Sequence, residues 1–494
     1  MLSTKNIGVG TRSLIPGLAL IAPAFWIAWI ELIYSGEITL SVNPPTASDI
    51  IIAYIISTTA MGAMLVVYGT FPRVFQPLLQ KPWLIIVAGA GAALSTYFTL
   101  AMNNFFVTAL TGVFTSLLAA RFSLLFAQVN PKGALLACCI SQIGGSFVYG
   151  YVLSLPASWQ PVFLCLLPFV AALTTLLVGD FFHEDLSFIV DPPSSSYIRL
   201  LVGMLVFSVA INVVRGFYPA TIEMNSFAEA RGASSVLFFF VKVGLCALIV
   251  MLPKNVNLPK LCYFTLLVLA FMTLPLPFFG LGSELTFETF GCINALLNLA
   301  FWAMIASLSY WSGRSALRLF GWGWGGMSLG SVAGWALGFA LYANGVDGSF
   351  LAALDVIMMV VMILCCVFVI TPGVIKRLYT PDDPEADVPL VNPGRFSQGA
   401  DALETIGTPA AASQDVHGPG RWMSAATRMV SDYDISPREA DVLISLLKGN
   451  TKRHISEELF ISYNTVRSHI RSIYTKCDAH NQQDLVDILE SYMK

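Results

Sequence analysis

Arg467 and Arg471 stand one helical turn apart in NTVRSHIRSIYTK (464–476), a stretch without an acidic residue. If Val466, Ile470 and Ile473 bury one face of a helix, Arg467, Ser468 and Arg471 point the other way. Guanidinium groups on an exposed helix face can enter a major groove and form bidentate hydrogen bonds to guanine O6 and N7. Ser462 and Thr465 sit at the helix start, where hydroxyl donors and the positive end of the helix dipole suit a phosphate. Lys476 is a further candidate for the nucleic-acid backbone. Net charge alone would not make this region a polyanion binder, since residues 434–494 hold 8 Lys/Arg against 9 Asp/Glu.

A second set of charges stands out by its surroundings. The 494-residue chain is 56% hydrophobic and 12% charged, with a mean hydropathy of +0.72. Soluble domains are about 25% charged, so a lipid bilayer is the expected solvent for most of the chain. Glu31, Lys242 and Asp355 fall inside apolar runs, and Arg215 and Arg231 flank GFYPATIEMNSFAEA. Charges in such places are costly and mark candidate ligand sites, here for an anionic or carboxylated small molecule with Glu31 and Asp355 as balancing charges. Interfacial snorkelling or structural ion pairing is the alternative. Lys242 is the deepest of the five and the first choice.

The elements that carry these residues follow from length and composition. A helix needs about 20 apolar residues to span a bilayer. Such runs occur near 14–33, 50–68, 83–101, 104–125, 134–154 and 162–178, then near 198–216, 234–252, 261–279, 288–311, 320–342 and 350–370. Two groups of six, in 1–178 and 198–378, are separated by GDFFHEDLSFIVDPPSSSY. With the N-terminus inside, the inner segments hold 13 Lys/Arg, whereas the outer loops hold only Arg215 and Arg231. The positive-inside rule then places both termini in the cytoplasm and the chain in the cell membrane. The first apolar segment is too long for a cleaved signal peptide and reads as an uncleaved helix. Gly326, Gly330, Gly334 and Gly338 mark a face for close helix packing, and GWGWGG (321–326) reads as interfacial tryptophan anchoring.

Beyond Arg377 the pattern changes. Residues 380–420 hold six prolines and seven acidic residues, and 379–420 reads as a disordered acidic linker. From 421 onward a soluble domain begins with a lead-in helix at 421–433. Ser436-Pro437-Arg438-Glu439 is a capping-box start, Val442, Leu443, Leu446 and Leu447 form its buried stripe, and Gly449 ends it. Helices near 452–459, 462–477 (capped by Ser462) and 481–491 bury Ile455 and Leu459, then Val466, Ile470 and Ile473, then Leu485 and Ile488. Two short helices joined by a tight turn, the second bearing exposed cations, make a helix-turn-helix.

Residues 435–490, ISPREADVLISLLKGNTKRHISEELFISYNTVRSHIRSIYTKCDAHNQQDLVDILE, resemble the LuxR-type DNA-binding domain. The resemblance implies base contacts from Arg467, Ser468 and Arg471, and positions near the DNA backbone for Thr465 and His469. It also implies double-stranded DNA as partner and a homodimer on a two-half-site operator. The membrane part resembles the major facilitator superfamily in its six-plus-six topology. Its loop YGTFPRVFQPLLQKPW keeps Gly69 and Arg73 of that family's signature but lacks the acidic residue and the basic cluster. The expected fold class is thus all-α: a polytopic helix bundle plus a small four-helix DNA-binding domain. No catalytic constellation, cofactor motif or metal-ligand spacing is present, and the nine cysteines read as small buried hydrophobes. These features imply a membrane-embedded transcription regulator that senses a small molecule. The other reading is a secondary transporter with a regulatory cytoplasmic domain.

Overall fold

The structure, a computed structural model, describes residues 21–34, 38, 40, 46–102, 104–127, 131–176, 195–217, 239–251, 258–273, 283–312, 315–346, 349–379, 419–450, 452–459, 461, 463–479 and 482–493. All regular structure among them is helical. The chain divides into two compact units, one formed by Met1–Ser309 with Arg314–Leu378, the other holding Tyr379–Lys494.

In the first unit, α1 (Ala22–Ile33), α2 (Ala47–Thr70), the short α3 (Pro72–Leu79), α4 (Pro82–Met102), α5 (Phe105–Phe126), α6 (Pro131–Ser154) and α7 (Gln160–Leu176) form the first group. The second comprises α8 (Ser195–Phe217), α9 (Phe239–Met251), α10 (Leu258–Met272), α11 (Ser283–Ser312), α12 (Ala316–Ala343), α13 (Ser349–Phe368) and the short α14 (Pro372–Tyr379). Each of the twelve expected spans carries an apolar helix. Seven of these (α2, α4, α5, α6, α8, α11 and α12) are long and apolar enough to cross a membrane, while the other five are shorter. Helix is the required form here because lipid offers no partner for an open backbone N–H or C=O. The helix starts are fixed locally: Thr46 Oγ1 accepts from the Asp49 N–H at 3.2 Å, and Asp49 Oδ2 accepts from the Thr46 N–H at 2.9 Å.

The described residues of this unit expose many large apolar side chains, Phe106 at 72% and Phe368 at 70% exposure among them. A water-facing surface would hide such groups, and a lipid-facing one has no reason to. The described residues of the C-terminal unit expose no large hydrophobic side chain. The solvent boundary therefore falls between the two units.

Helix α12 is the packing centre of the membrane unit, and its glycines explain why. A Cβ on Gly334 would stand 2.6 Å from the Val209 carbonyl oxygen of α8, and one on Gly330 would stand 3.0 Å from that of Leu205. Gly338 approaches the Val213 carbonyl more closely still, whereas Gly326 faces open space. Three of the four stripe glycines thus serve packing within the chain. A second set meets α2: a Cβ on Gly321 would lie 2.6 Å from the Leu65 carbonyl, and one on Gly325 2.9 Å from that of Gly62. The helices that join the two groups therefore meet backbone to backbone. Gly338→Ala is expected to cost about 2 kcal/mol, since a carbonyl cannot rotate away as a side chain can. Gly326→Ala should change stability little. Thermal unfolding of the two variants in detergent measures the difference.

One sequence expectation changes here. Trp324 of the GWGWGG run packs against Trp302 of α11 at 4.4 Å and Trp26 of α1 at 5.4 Å between ring centroids. It fills the space between helices instead of anchoring at the interface, and Trp322 donates to Thr70 Oγ1 at 3.2 Å. The small neighbours Gly323 and Gly325 let α12 approach closely enough for its tryptophans to reach across.

The C-terminal unit is built from α15 (Pro419–Asp432), α16 (Pro437–Leu447), α17 (Lys452–Glu458), α18 (Tyr463–Cys477) and α19 (Gln482–Met493). Its core joins Ala425, Ala426 and Met429 of α15 to Val442, Leu443, Leu446 and Leu447 of α16. Ile455, Val466, Ile470, Ile473, Leu485 and Leu489 complete it, with Leu459 and Ile488 half-buried at its margin. The period-3.6 apolar positions of each helix thus converge on one core. Gly449 closes α16 with φ at 84°, a left-handed backbone that a side chain would strain.

Candidate functional site

Helices α17 and α18 are the two arms of the helix-turn-helix, and the geometry of the unit fixes α18 from behind. Val466 and Ile473 are fully buried and Ile470 nearly so, which holds one face of α18 against the core. Arg467 and Arg471 are exposed. Four residues of rise separate them by about 6 Å along the axis, close to two base steps of about 3.4 Å each. Ser468, Thr465 and His469 are half-buried beside them. Burial holds the His469 imidazole below its usual pKa, opposed by Glu439 and reinforced by Arg438, so the ring is neutral at pH 7. A neutral imidazole keeps one N–H to donate. Ser462 lies outside the described residues.

Lys476 faces elsewhere. Its Nζ donates to Glu439 Oε2 at 2.9 Å and to the Asp434 carbonyl at 2.7 Å. Asp434 adopts φ of 47°, a left-handed turn that aspartate tolerates, between α15 and α16. Glu439 is the hub of this arrangement. Its Oε2 also accepts from the Ser436 N–H at 2.7 Å, while its own N–H donates to Ser436 Oγ at 3.4 Å, completing the capping box. Burial alone would raise the Glu439 pKa, but hydrogen bonds from Ser472, Lys476 and Ser436 outweigh it and hold the carboxyl at about 2. Sequence reading saw only the cap. The cation that pairs with Glu439 lies 37 positions away, and no local pattern announces it.

Further polar ties set the angle between helices. Ser445 donates to Glu458 Oε2 at 2.7 Å and Asn450 donates to Ser445 Oγ at 3.0 Å, joining α16 to the end of α17. Tyr492 donates to Asp432 Oδ2 at 2.8 Å, closing α15 onto α19. The turn after α17 is tightened by the Ile461 N–H bonding the Ser456 carbonyl at 3.2 Å. The result is a short rigid helix pair presenting two arginines.

The sequence profile of bacterial regulatory proteins of the luxR family matches residues 434–489. Residues 434–489 form a LuxR-type DNA-binding domain. The match covers the capping box, both arms of the helix-turn-helix and most of α19, and leaves out α15. The LuxR-type domain carries its lead-in helix as an addition packed on the same core. No curated protein matches the chain.

In the membrane unit, the five candidate charges have different surroundings. Arg215 donates to Asn212 Oδ1 at 3.2 Å and lies 5.5 Å from the Trp335 ring centroid. Asn212 is fully buried and also accepts from Trp335 Nε1 at 3.1 Å. Its Nδ2 donates to Asn294 Oδ1 at 3.3 Å, so one amide ties α8, α11 and α12 together. Lys242 of α9 donates to Ser146 Oγ of α6 at 2.9 Å. Asp355 of α13 is 2% exposed, and neither of its carboxyl oxygens has a hydrogen-bond partner among the described residues. Glu31 is half-buried at the end of α1, and Arg231 lies outside the described residues. The Asn212 hub was not anticipated, because a single asparagine in an apolar run carries no sequence signal of its partners.

Among solved structures, the human organic anion transporter MFSD10 (TETRAN) is similar with a TM-score of 0.49 and 13% identity, covering 72% of this chain and 97% of that one. The E. coli fucose:proton symporter FucP is similar with a TM-score of 0.46 and 13% identity, over 73% and 98% of the two chains. A bacterial homologue of the iron transporter ferroportin follows with a TM-score of 0.44 and 13% identity, over 74% and 98%.

Proposed function

We propose that the chain is a one-component transcription regulator embedded in the cell membrane. Its membrane unit senses an anionic small molecule, and its LuxR-type domain binds operator DNA on the cytoplasmic side. The observation that carries this reading is the pair of exposed arginines on α18, in a LuxR-type domain continuous with a multi-pass membrane unit. Arg467, Ser468 and Arg471 read bases, and Ser462, Thr465 and His469 approach the phosphates. Lys476 was a candidate for the same role, but its bonds to Glu439 and Asp434 favour a positioning one. Both termini lie in the cytoplasm by the 13-to-2 bias of Lys/Arg between inner and outer segments.

Two domains engage two half-sites as a homodimer. Residues 379–420 link the units, with a composition that transmits rigid-body motion poorly. Ligand binding therefore acts on how readily the domains pair or reach DNA, as a change of local concentration.

Genome-wide DNA occupancy of the full-length chain in its native cell, beside the Arg467→Ala/Arg471→Ala variant, is the decisive measurement. A few sharp sites absent from the variant are expected. Profiles that coincide would remove the regulator reading and favour the transporter, whose test is uptake of labelled substrate into vesicles.

A further inference from the structure

The two seams between the six-helix groups differ in kind. Where α2 meets α12, glycines bring backbones together along the whole contact, from Gly62 against Gly325 to Gly69 against Gly321. Tyr54 and Ser331 close one end with a 3.1 Å hydrogen bond, and Trp322 and Thr70 close the other. The seam between α6 and α9 has no such approach. Gly150 of α6 and Gly244 of α9 both face open space. The helices run antiparallel, and among the described residues they meet at Phe147 against Phe239 at 4.9 Å, Lys242 to Ser146, Lys132 Nζ to the Val250 carbonyl at 3.3 Å, and Cys139 beside Cys246. Around these points Phe147, Phe240, Tyr151 and Leu248 are exposed.

Lys242 sits in the middle of this loose seam. It is nine residues from the Met251 end of α9, about 13 Å along the axis; with that end at the membrane edge, Lys242 falls at mid-depth in a hydrocarbon core of about 30 Å. Its bond to Ser146 is its one side-chain hydrogen bond among the described residues, and that partner is neutral. A cation at this depth calls for an anion, and a half-buried one beside exposed aromatic groups can receive it from the bilayer without the protein opening to water. Phospholipid headgroups lie at the surface and do not match that depth. An apolar molecule carrying a single carboxyl group does, because it can cross the hydrocarbon in its neutral, protonated form.

We infer that the α6–α9 seam is a lateral entry site for a lipophilic organic carboxylate, with Lys242 Nζ as its anchor and Ser146 as the group it displaces. The α2–α12 contact is the fixed edge about which that seam widens. This rests on the sensing role proposed above and names its ligand class and route.

The test uses the full-length chain in lipid nanodiscs and a photoreactive medium-chain carboxylic acid bearing a diazirine, beside its methyl ester. The acid is expected to label α6 and α9 peptides, with labelling about tenfold lower in Lys242→Ala and largely retained in Lys242→Arg, in keeping with one charged hydrogen bond. The ester should label both helices weakly and without regard to position 242. Equal labelling by acid and ester, or Lys242→Ala labelled like the parent, would overturn the site. If Lys242→Ala does not elute as a folded particle, Lys242→Gln decides by the same comparison. DNA occupancy is read separately. Sharp occupancy without Lys242-dependent labelling removes this site and leaves the regulator. Lys242-dependent labelling without occupancy removes the regulator and leaves the site.

Discussion

Arg467→Ala is expected to weaken binding to the preferred operator by about 1–3 kcal/mol, roughly 5- to 150-fold, and to relax base preference at one position. The size is that of a bidentate contact to a base edge, the role proposed for Arg467. The change in specificity follows from where Arg467 stands, exposed on a helix whose opposite face is fixed by Val466, Ile470 and Ile473. Arg471→Ala should act at a second position one turn along. Fluorescence anisotropy with a panel of single-base operator variants measures both. Equal loss on every sequence, with a shallower salt dependence, would instead make Arg467 a phosphate contact. Because α18 is held from behind, neither substitution should alter the thermal stability of the domain by more than about 0.5 kcal/mol.

Glu439→Ala is expected to cost about 3 kcal/mol of domain stability. The variant loses the reciprocal cap with Ser436, worth about 1 kcal/mol, and a charged hydrogen bond from Lys476, worth about 1.5–3 kcal/mol. Acid should reproduce the effect without mutation. The Glu439 carboxyl is held at about 2, below its ordinary value of 4.5, so its contribution is complete above the unfolded value. It is lost as pH falls from about 4.5 toward 2. Denaturant melts across that window should show the slope in the parent and a flatter one in Glu439→Gln. An unchanged slope would mean that another carboxylate carries the acid sensitivity.

How much of this was readable from sequence depends on the range of the interaction. The capping box, the stripe from Val442 to Leu447 and the buried positions of α18 are local, repeating patterns, and each helix of the C-terminal unit lies where its pattern put it. The apolar runs of the membrane unit were equally legible, since lipid imposes both their length and their composition. The partners across helices were not. Lys476 looked like another cation on a basic helix, and its bond to Glu439 emerges only when α16 and α18 pack. Trp324 looked like an interfacial anchor because tryptophans beside glycines at a span end usually are. Its actual neighbours are Trp302 of the preceding helix and Trp26 of α1, at the other end of the membrane unit's sequence, and only packing brings them together. The charges at Arg215 and Lys242 were visible as anomalies, but their settings, an asparagine hub and a loosely packed seam, belong to tertiary structure alone.

Helix α15 lies along α19, with Tyr492 tied to Asp432, and no large apolar side chain is left exposed among the described residues of the domain. If two such domains pair as proposed, they have little grease to share, and their meeting is governed by supply rather than by stickiness. Confinement to a sheet of lipid then becomes the quantity that matters. Doubling the number of copies per area of membrane would raise the density of encounters about fourfold by mass action. A cell could therefore set the threshold of the response by how densely it plants the protein, with no change in the strength of any bond.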